Sequence, residues 1–278
     1  MSNPAHDACE QITEALTEDR LELPTLPEVA LRIRDTAEQE DVTIAKLCRV
    51  IEQDPALSAH LIKVANSPIF RATRTMQDLQ SAISRMGTKY SATLSVGLAM
   101  RQMYQSTSDI IDRRLRQTWT HACDVAAVSG VITEHYTALP KDQAMLAGLT
   151  HAIGTLPILT WAEHNPRLIG DSITLQAVID VMHGHLGAQI LCQWHFPEAI
   201  AVVPERYMNF DRKPEQVDLV DVVMASHLLT LDNSEHPHLQ MSALSESAFD
   251  RLGLDPDEDE GSYADLAGEI AESRASFA

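Results

Sequence analysis

The sequence is short of aromatics, short of glycine and without paired cysteines. Only 5% of its 278 residues are Phe, Trp or Tyr, although 45% are hydrophobic. A core must then be built from Ala, Leu, Ile, Val and Met, the side chains of packed helices. Eleven glycines are too few for the many tight turns of a sheet-rich fold, and strand-period alternation persists nowhere. Cys9, Cys48, Cys123 and Cys192 lie far apart with no CxxC spacing. That excludes a CxxC redox or zinc motif and reads as free, mostly buried thiols in a reducing compartment. There is no phosphate-cradling glycine loop and no Rossmann fingerprint. The first residues are polar and acidic rather than an apolar signal segment, and no apolar run approaches the roughly 18 residues that span a bilayer. The expectation is a cytoplasmic protein without a membrane partner.

Positive charge is also scarce. Lys and Arg number 21 against 40 Asp and Glu, a formal net charge of -19. Such a surface repels phosphate backbones and anionic lipid heads, so no nucleic-acid polymer is expected as a partner. Many of the cations, among them Arg32, Arg34, Arg71, Arg74, Lys89, Arg101, Arg113, Arg114 and Arg116, precede residue 120. They read first as a solvated helical surface; the alternative is a cleft for an anionic nucleotide.

What the chain does have is helical periodicity and helix punctuation. A lead-in helix is expected over 1–17 (Cys9, Ile12, Leu16). Pro24 and Pro27 forbid helix across 21–27, and Val29, Leu31, Ile33 and Ala37 begin the next one. Thr43 and Asp54 stand as N-caps, with Pro55 at a first helical position where its missing N–H costs nothing. Leu79, Ala82, Ile83 and Met86 form a stripe stopped by Gly87. Thr88 is expected to cap a helix to about Tyr104, with apolar residues that could pair across a two-fold. One long helix or two abutting ones cover 110–136 and carry His121. Residues 143–153 are expected as a helix bearing His151, continued by a buried segment over 154–163. Ser172 or Thr174 caps a helix through Met182, and His183 to Gly187 opens another. The last strongly apolar helix covers 217–231. A short helix within 244–252 and an acidic loop over 255–260 complete the reading. The fold class is all-α, divided as a lead-in helix (1–17), an N-terminal helical lobe (18–108), a second lobe (109–231) and an acidic extension (232–278) that is either a docking tail or disordered.

With these segments placed, Leu23-Pro24 to Glu28, Ile51-Glu52-Gln53-Asp54-Pro55-Ala56-Leu57, Lys63-Val64-Ala65-Asn66-Ser67 and Ala82-Ile83 to Gly87 resemble the HDOD family, the HD-related output domains of bacteria. The resemblance covers roughly 18–230. It implies an HD-domain-like helical bundle with an N-terminal helical lobe, a place in bacterial signalling, and for most members no hydrolysis.

In a hydrolytic HD site, imidazoles and carboxylates converge on one or two divalent ions, which acidify a bound water and clamp phosphoryl oxygens. By the resemblance, His121 takes the place of the first ligand, His151 that of the dyad histidine and His183 that of the next ligand. Three positions depart. Ala152 replaces the dyad aspartate, Tyr207 falls where metal-binding relatives place a further histidine, and His227 falls where the closing helix usually supplies aspartate. Asp124 and Asp180, each three residues from a site histidine, could share its helix face but occupy no family ligand position.

The four histidines therefore read as vestigial, hydrogen-bonded core residues. No catalytic residue and no cofactor are expected, an all-histidine divalent metal site being the rival. His236 and His238, flanking a proline, are expected to be exposed, and Trp161 and Trp194 to anchor the core. The leading function is a non-enzymatic signalling domain that binds another protein. The alternatives are a metal-dependent phosphohydrolase or phosphodiesterase acting on a nucleotide or cyclic dinucleotide, and a non-catalytic nucleotide sensor.

Overall fold

The computed structural model describes residues 4–67, 70, 75–231, 238, 248–254 and 262–277. It is all-α, with no strand among the described residues. The helices are α1 (Pro4–Thr17), α2 (Glu28–Ala37), α3 (Ile44–Ile51), α4 (Pro55–Ala65), α5 (Leu79–Met86), α6 (Thr88–Ala99), α7 (Asp109–Tyr136), α8 (Lys141–Thr150), α9 (Thr155–Glu163), α10 (Pro166–Gly170), α11 (Ser172–Gln193), α12 (Glu198–Ala201), α13 (Val203–Arg206), α14 (Leu219–Leu229), α15 (Ala248–Leu252) and α16 (Ser262–Phe277).

The N-terminal helices follow their punctuation. The Thr43 side chain accepts from Lys46 N at 3.2 Å, and Asp54 accepts from Ala56 N and Leu57 N, both at 3.0 Å. After α4, Asn66 makes a two-way bridge to Met76: its Nδ2 donates to the carbonyl at 2.9 Å and its Oδ1 accepts from the amide at 2.7 Å. That gives the Ala65-Asn66-Ser67 stretch a physical role, pinning together two points ten residues apart. Leu31, expected on the buried face of α2, is exposed, whereas Ala30 and Ile33 face inward.

Four other expectations are corrected. Thr88 is the first helical residue rather than the cap; Gly87 holds that position at φ +84, and α6 stops at Ala99, followed by a 3-10 turn over Met100–Met103. The apolar side chains of α6 are largely buried within the chain, against α2 and α8 among others. Residues 172–193 are one helix, not two, and the cap is Asp171, which accepts from Ile173 N at 3.2 Å and Thr174 N at 3.0 Å. His183 to Gly187 lies inside this helix. The helix bearing His151 ends one residue before it, and 151–154 form a turn into α9. The acidic loop 255–260 and residues 244–247 lie outside the described residues; α15 covers the rest of the expected short helix.

Helix α7 is a single rod, and α8 packs along it so closely that Gly148 admits no side chain: a Cβ there would stand 2.6 Å from Ala126 Cα. Residues 141–163 are long and apolar enough to cross a membrane by composition, contrary to the expectation that no apolar run approaches that length. The most apolar stretch within them is 89% buried in the fold, and the turn at 151–154 interrupts them. α1 packs on α11, and α16 lies along α7 with the ion pair Arg274–Asp124 at 3.3 Å and a His135 Nε2–Glu269 contact at 2.9 Å. Trp194 links the two ends of the HDOD-like region. Its indole N–H donates to Pro24 O at 2.9 Å, while Arg34 donates to its carbonyl and lies 5.6 Å from the Phe196 ring centre. Trp161, half-buried, packs against the edge of the core and also lines a surface cleft.

Candidate functional site

Helix α7 carries His121, the turn after α8 carries His151, α11 carries His183 and α14 carries His227. The fold brings the first, second and fourth of these together: a ligand atom from each lies within 4.8 Å of the others. His121 Nε2 and His227 Nδ1 are 3.0 Å apart and share a hydrogen bond. His227 Nε2 bonds in turn to His238 Nδ1 at 3.0 Å. His238 is half-buried, so the expectation that it is exposed is corrected; His236 lies outside the described residues.

His151 is fully buried. Its Nδ1 lies 2.6 Å from Gly148 O; since a carbonyl only accepts, Nδ1 carries the proton and Nε2 a lone pair. That lone pair is buried and has no hydrogen-bond partner. Burial, reinforced by the neighbouring His121, pushes the His151 pKa down to about 3, so the ring stays neutral with its lone pair free to accept.

His183 shares the pocket but is tied off. Its Nδ1 bonds Ile179 O at 2.7 Å and its Nε2 lies 2.8 Å from the Tyr207 hydroxyl. The same logic makes Nδ1 the donor to the carbonyl, so Nε2 accepts from the tyrosine. Burial lowers the His183 pKa and raises that of Tyr207, which keeps both neutral. Tyr207→Phe should therefore cost about 1–3 kcal/mol by orphaning a buried acceptor, measured as a fall in urea midpoint at unchanged slope; unchanged stability would show that the bond is dispensable.

The pocket has a volume of about 300 Å³. Its lining also includes Arg114, Gln117, Thr118, Ala152, Thr155, Gln176 and Asp180. Asp180 is the one carboxylate among these residues. It is exposed, accepts from Gln176 Nε2 at 2.9 Å, and is not part of the three-imidazole group. Asp124 turns away to pair with Arg274. Ala152 puts a methyl group on the pocket wall. Gln117 and Arg114 lie four and seven residues before His121, and Gln176 seven before His183. Helical spacing therefore held the signal for them, whereas nothing local marked His238.

Chemically, three neutral imidazoles suit a borderline dication such as Zn²⁺. The hard ions Mg²⁺ and Mn²⁺, which want oxygen, find no carboxylate in the group. The buried lone pair of His151 is the observation that makes the fit physical.

Comparison with known proteins agrees with this architecture. The HDOD domain model matches residues 23–208. A crystal structure from Shewanella amazonensis SB2B, named as a candidate metal-dependent phosphohydrolase, is 29% identical, with 99% of each chain covered and a TM-score of 0.84. A structure from Marinobacter aquaeolei VT8, named as a candidate signal transduction protein, is 20% identical over 98% of this chain and 65% of its own, with a TM-score of 0.63; at that identity it speaks for the fold alone. An uncharacterised protein of Treponema pallidum (strain Nichols) is 26% identical over 244 residues, 80% of this chain but 45% of that protein. The chain thus spans about half the length of that curated relative. The match over 23–208, together with the all-helical fold that carries it, places this chain in the HDOD domain family.

Proposed function

We propose that this chain is a signalling HDOD protein that acts by binding another protein and does not hydrolyse phosphoesters. The observation that carries this reading is the missing carboxylate: the three converging imidazoles have Ala152, not aspartate, beside His151. A metal held by His121, His151 and His227 would acidify a bound water when present. No carboxylate of the group stands ready to take its proton or to bridge a second ion. The Marinobacter structure's name fits a signalling role, and the Shewanella structure's name fits the shared architecture; fold alone assigns neither, because function lives in the site.

Two assays test the reading. Untagged protein, tested with bis(p-nitrophenyl) phosphate and with linear and cyclic dinucleotides in Mn²⁺, Mg²⁺ or Zn²⁺, is expected to show no turnover above buffer. Ala152→Asp is expected to be equally inactive, because His227 still occupies the position where a second carboxylate would be needed. Clear turnover by the parent protein would overturn the non-hydrolytic half of the proposal; turnover by Ala152→Asp alone would overturn only the expectation that position 227 also needs a carboxylate. Affinity capture from the source organism that yields no specific partner would overturn the other half.

The rival reading, a nucleotide sensor, is favoured by Arg114 at the pocket. It predicts a rise in melting temperature with nucleotide occupancy.

A further inference from the structure

We propose that His121, His151 and His227 form a binding site for a single late first-row dication such as Zn²⁺, built wholly from imidazole nitrogen, from which Tyr207 excludes His183. This ligand set differs from the carboxylate-containing one that the HD resemblance implies, and it stands independently of the regulatory reading.

Four observations carry it. First, two nitrogens sharing a tetrahedral Zn²⁺ stand roughly 3.3 Å apart, given Zn–N bonds of about 2.0–2.1 Å. His121 Nε2 and His227 Nδ1 are already 3.0 Å apart, and all three ligand atoms lie within 4.8 Å. Second, His151 presents a fully buried lone pair with no protein partner. Third, the outer nitrogens are held as metal-ligating histidines usually are, the far N–H being anchored so that the near nitrogen is fixed in direction. His151 Nδ1–H donates to Gly148 O at 2.6 Å, and His227 Nε2 meets His238 Nδ1 at 3.0 Å. With the proton on His227 Nε2, its Nδ1 becomes a donor to an ion. His121 reaches the same state by moving its ring proton from Nε2 to Nδ1, with no change in charge. Fourth, the Nε2 of His183 already accepts from Tyr207 at 2.8 Å, which leaves three ligands and an open position rather than a fourth imidazole.

All-nitrogen ligation sets the selectivity. Imidazole suits Zn²⁺, Ni²⁺, Co²⁺ and Cu²⁺, whereas Mg²⁺ and Mn²⁺ prefer oxygen.

The test is calorimetric titration of untagged, chelator-stripped full chain with Zn²⁺, Mn²⁺ and Mg²⁺, with the visible absorption of Co²⁺ as a second readout of ligand number. The expected result is one Zn²⁺ per chain and no detectable Mg²⁺ or Mn²⁺ binding. Removing a second-sphere partner typically costs 10–100-fold in metal affinity, so loss of a ligand in His151→Ala is expected to weaken Zn²⁺ by about 100-fold or more. His121→Ala, at a half-buried ring, provides the same test should the fully buried site not tolerate truncation. His183→Ala is expected to leave the affinity and the Co²⁺ spectrum nearly unchanged. A folded protein that takes up no Zn²⁺ even at millimolar concentration overturns the inference and leaves the regulatory reading standing. So does Mg²⁺ or Mn²⁺ binding as tight as Zn²⁺, or a His183→Ala loss as large as that of His151→Ala. Zn²⁺ binding without phosphoester turnover supports both proposals; Zn²⁺ binding with turnover supports this one and overturns the other.

Discussion

Adding a single methyl group at Gly154 is expected to cost more than about 3 kcal/mol, above the usual range for overpacking. Gly154 closes the turn that begins with His151. A Cβ there would stand 1.9 Å from His183 O and 2.5 Å from Gly187 N. Both neighbours are backbone atoms of α11, so no side chain can rotate aside; either the helix moves or the turn does. Whichever yields, His151 and His183 change their relative positions. Gly154→Ala should therefore lower the urea midpoint sharply or abolish soluble folding. The control is Gly170→Ala, where a Cβ would meet nothing within 4 Å. Stability of Gly154→Ala within about 1 kcal/mol of the parent would show that the contact relaxes more easily than packed interiors normally allow.

The second large effect is expected at Asp221, six residues before His227 on α14. Its carboxylate is fully buried. It accepts from Arg212 Nη1 at 2.6 Å, and from Arg251 Nε at 3.0 Å and Nη2 at 2.7 Å, while Asp218 neutralises the other face of Arg212 at 2.6 Å. Both arginine side chains are only 11% exposed. Asp221→Ala leaves two nearly dehydrated guanidiniums short of a counter-charge, and breaking such a buried pair typically costs about 3–5 kcal/mol. In a chain of this size each kcal/mol moves the melting temperature by about 2–4 °C, so a drop on the order of 10 °C is expected by calorimetry. Asp41→Ala, which removes the exposed partner of Lys46, should leave the melting temperature nearly unchanged. Comparable losses from the two substitutions would show that the Asp221 cluster is better hydrated than its burial suggests.

The two sites also show which features can be read from a linear sequence. Thr43, Asp54 and Pro55 were legible because an N-cap acts within three residues. The imidazole cluster was legible in part, because resemblance placed His121, His151 and His227 before any geometry was known. Asp171 was missed because Ser172 and Thr174 beside it are equally good caps, and only the backbone decides among them. The expected boundary between two helices at Met182–His183 falls inside α11, beside Gly184 and Gly187, which have low helix propensity. They are there for a tertiary reason: a Cβ at either would press on Pro204, at 2.8 and 2.7 Å, and such contacts override local propensity. Tyr207 was flagged as a departure, but its bond to His183 joins residues 24 apart. Asp221 to Arg251 spans 30 residues and His227 to His238 spans 11. Pairings of that kind depend on the fold and leave no periodic trace.

The partnership of α16 with α7 has a consequence for how this family is delimited. The HDOD match ends at residue 208, yet α14, which supplies His227, and α16, which lies along α7, both follow it. The stretch by which the family is recognised is thus shorter than the body whose helices pack together, and the third imidazole comes from outside it. A family member can thereby acquire a different third imidazole, a carboxylate or neither, with no change inside the region by which it is recognised.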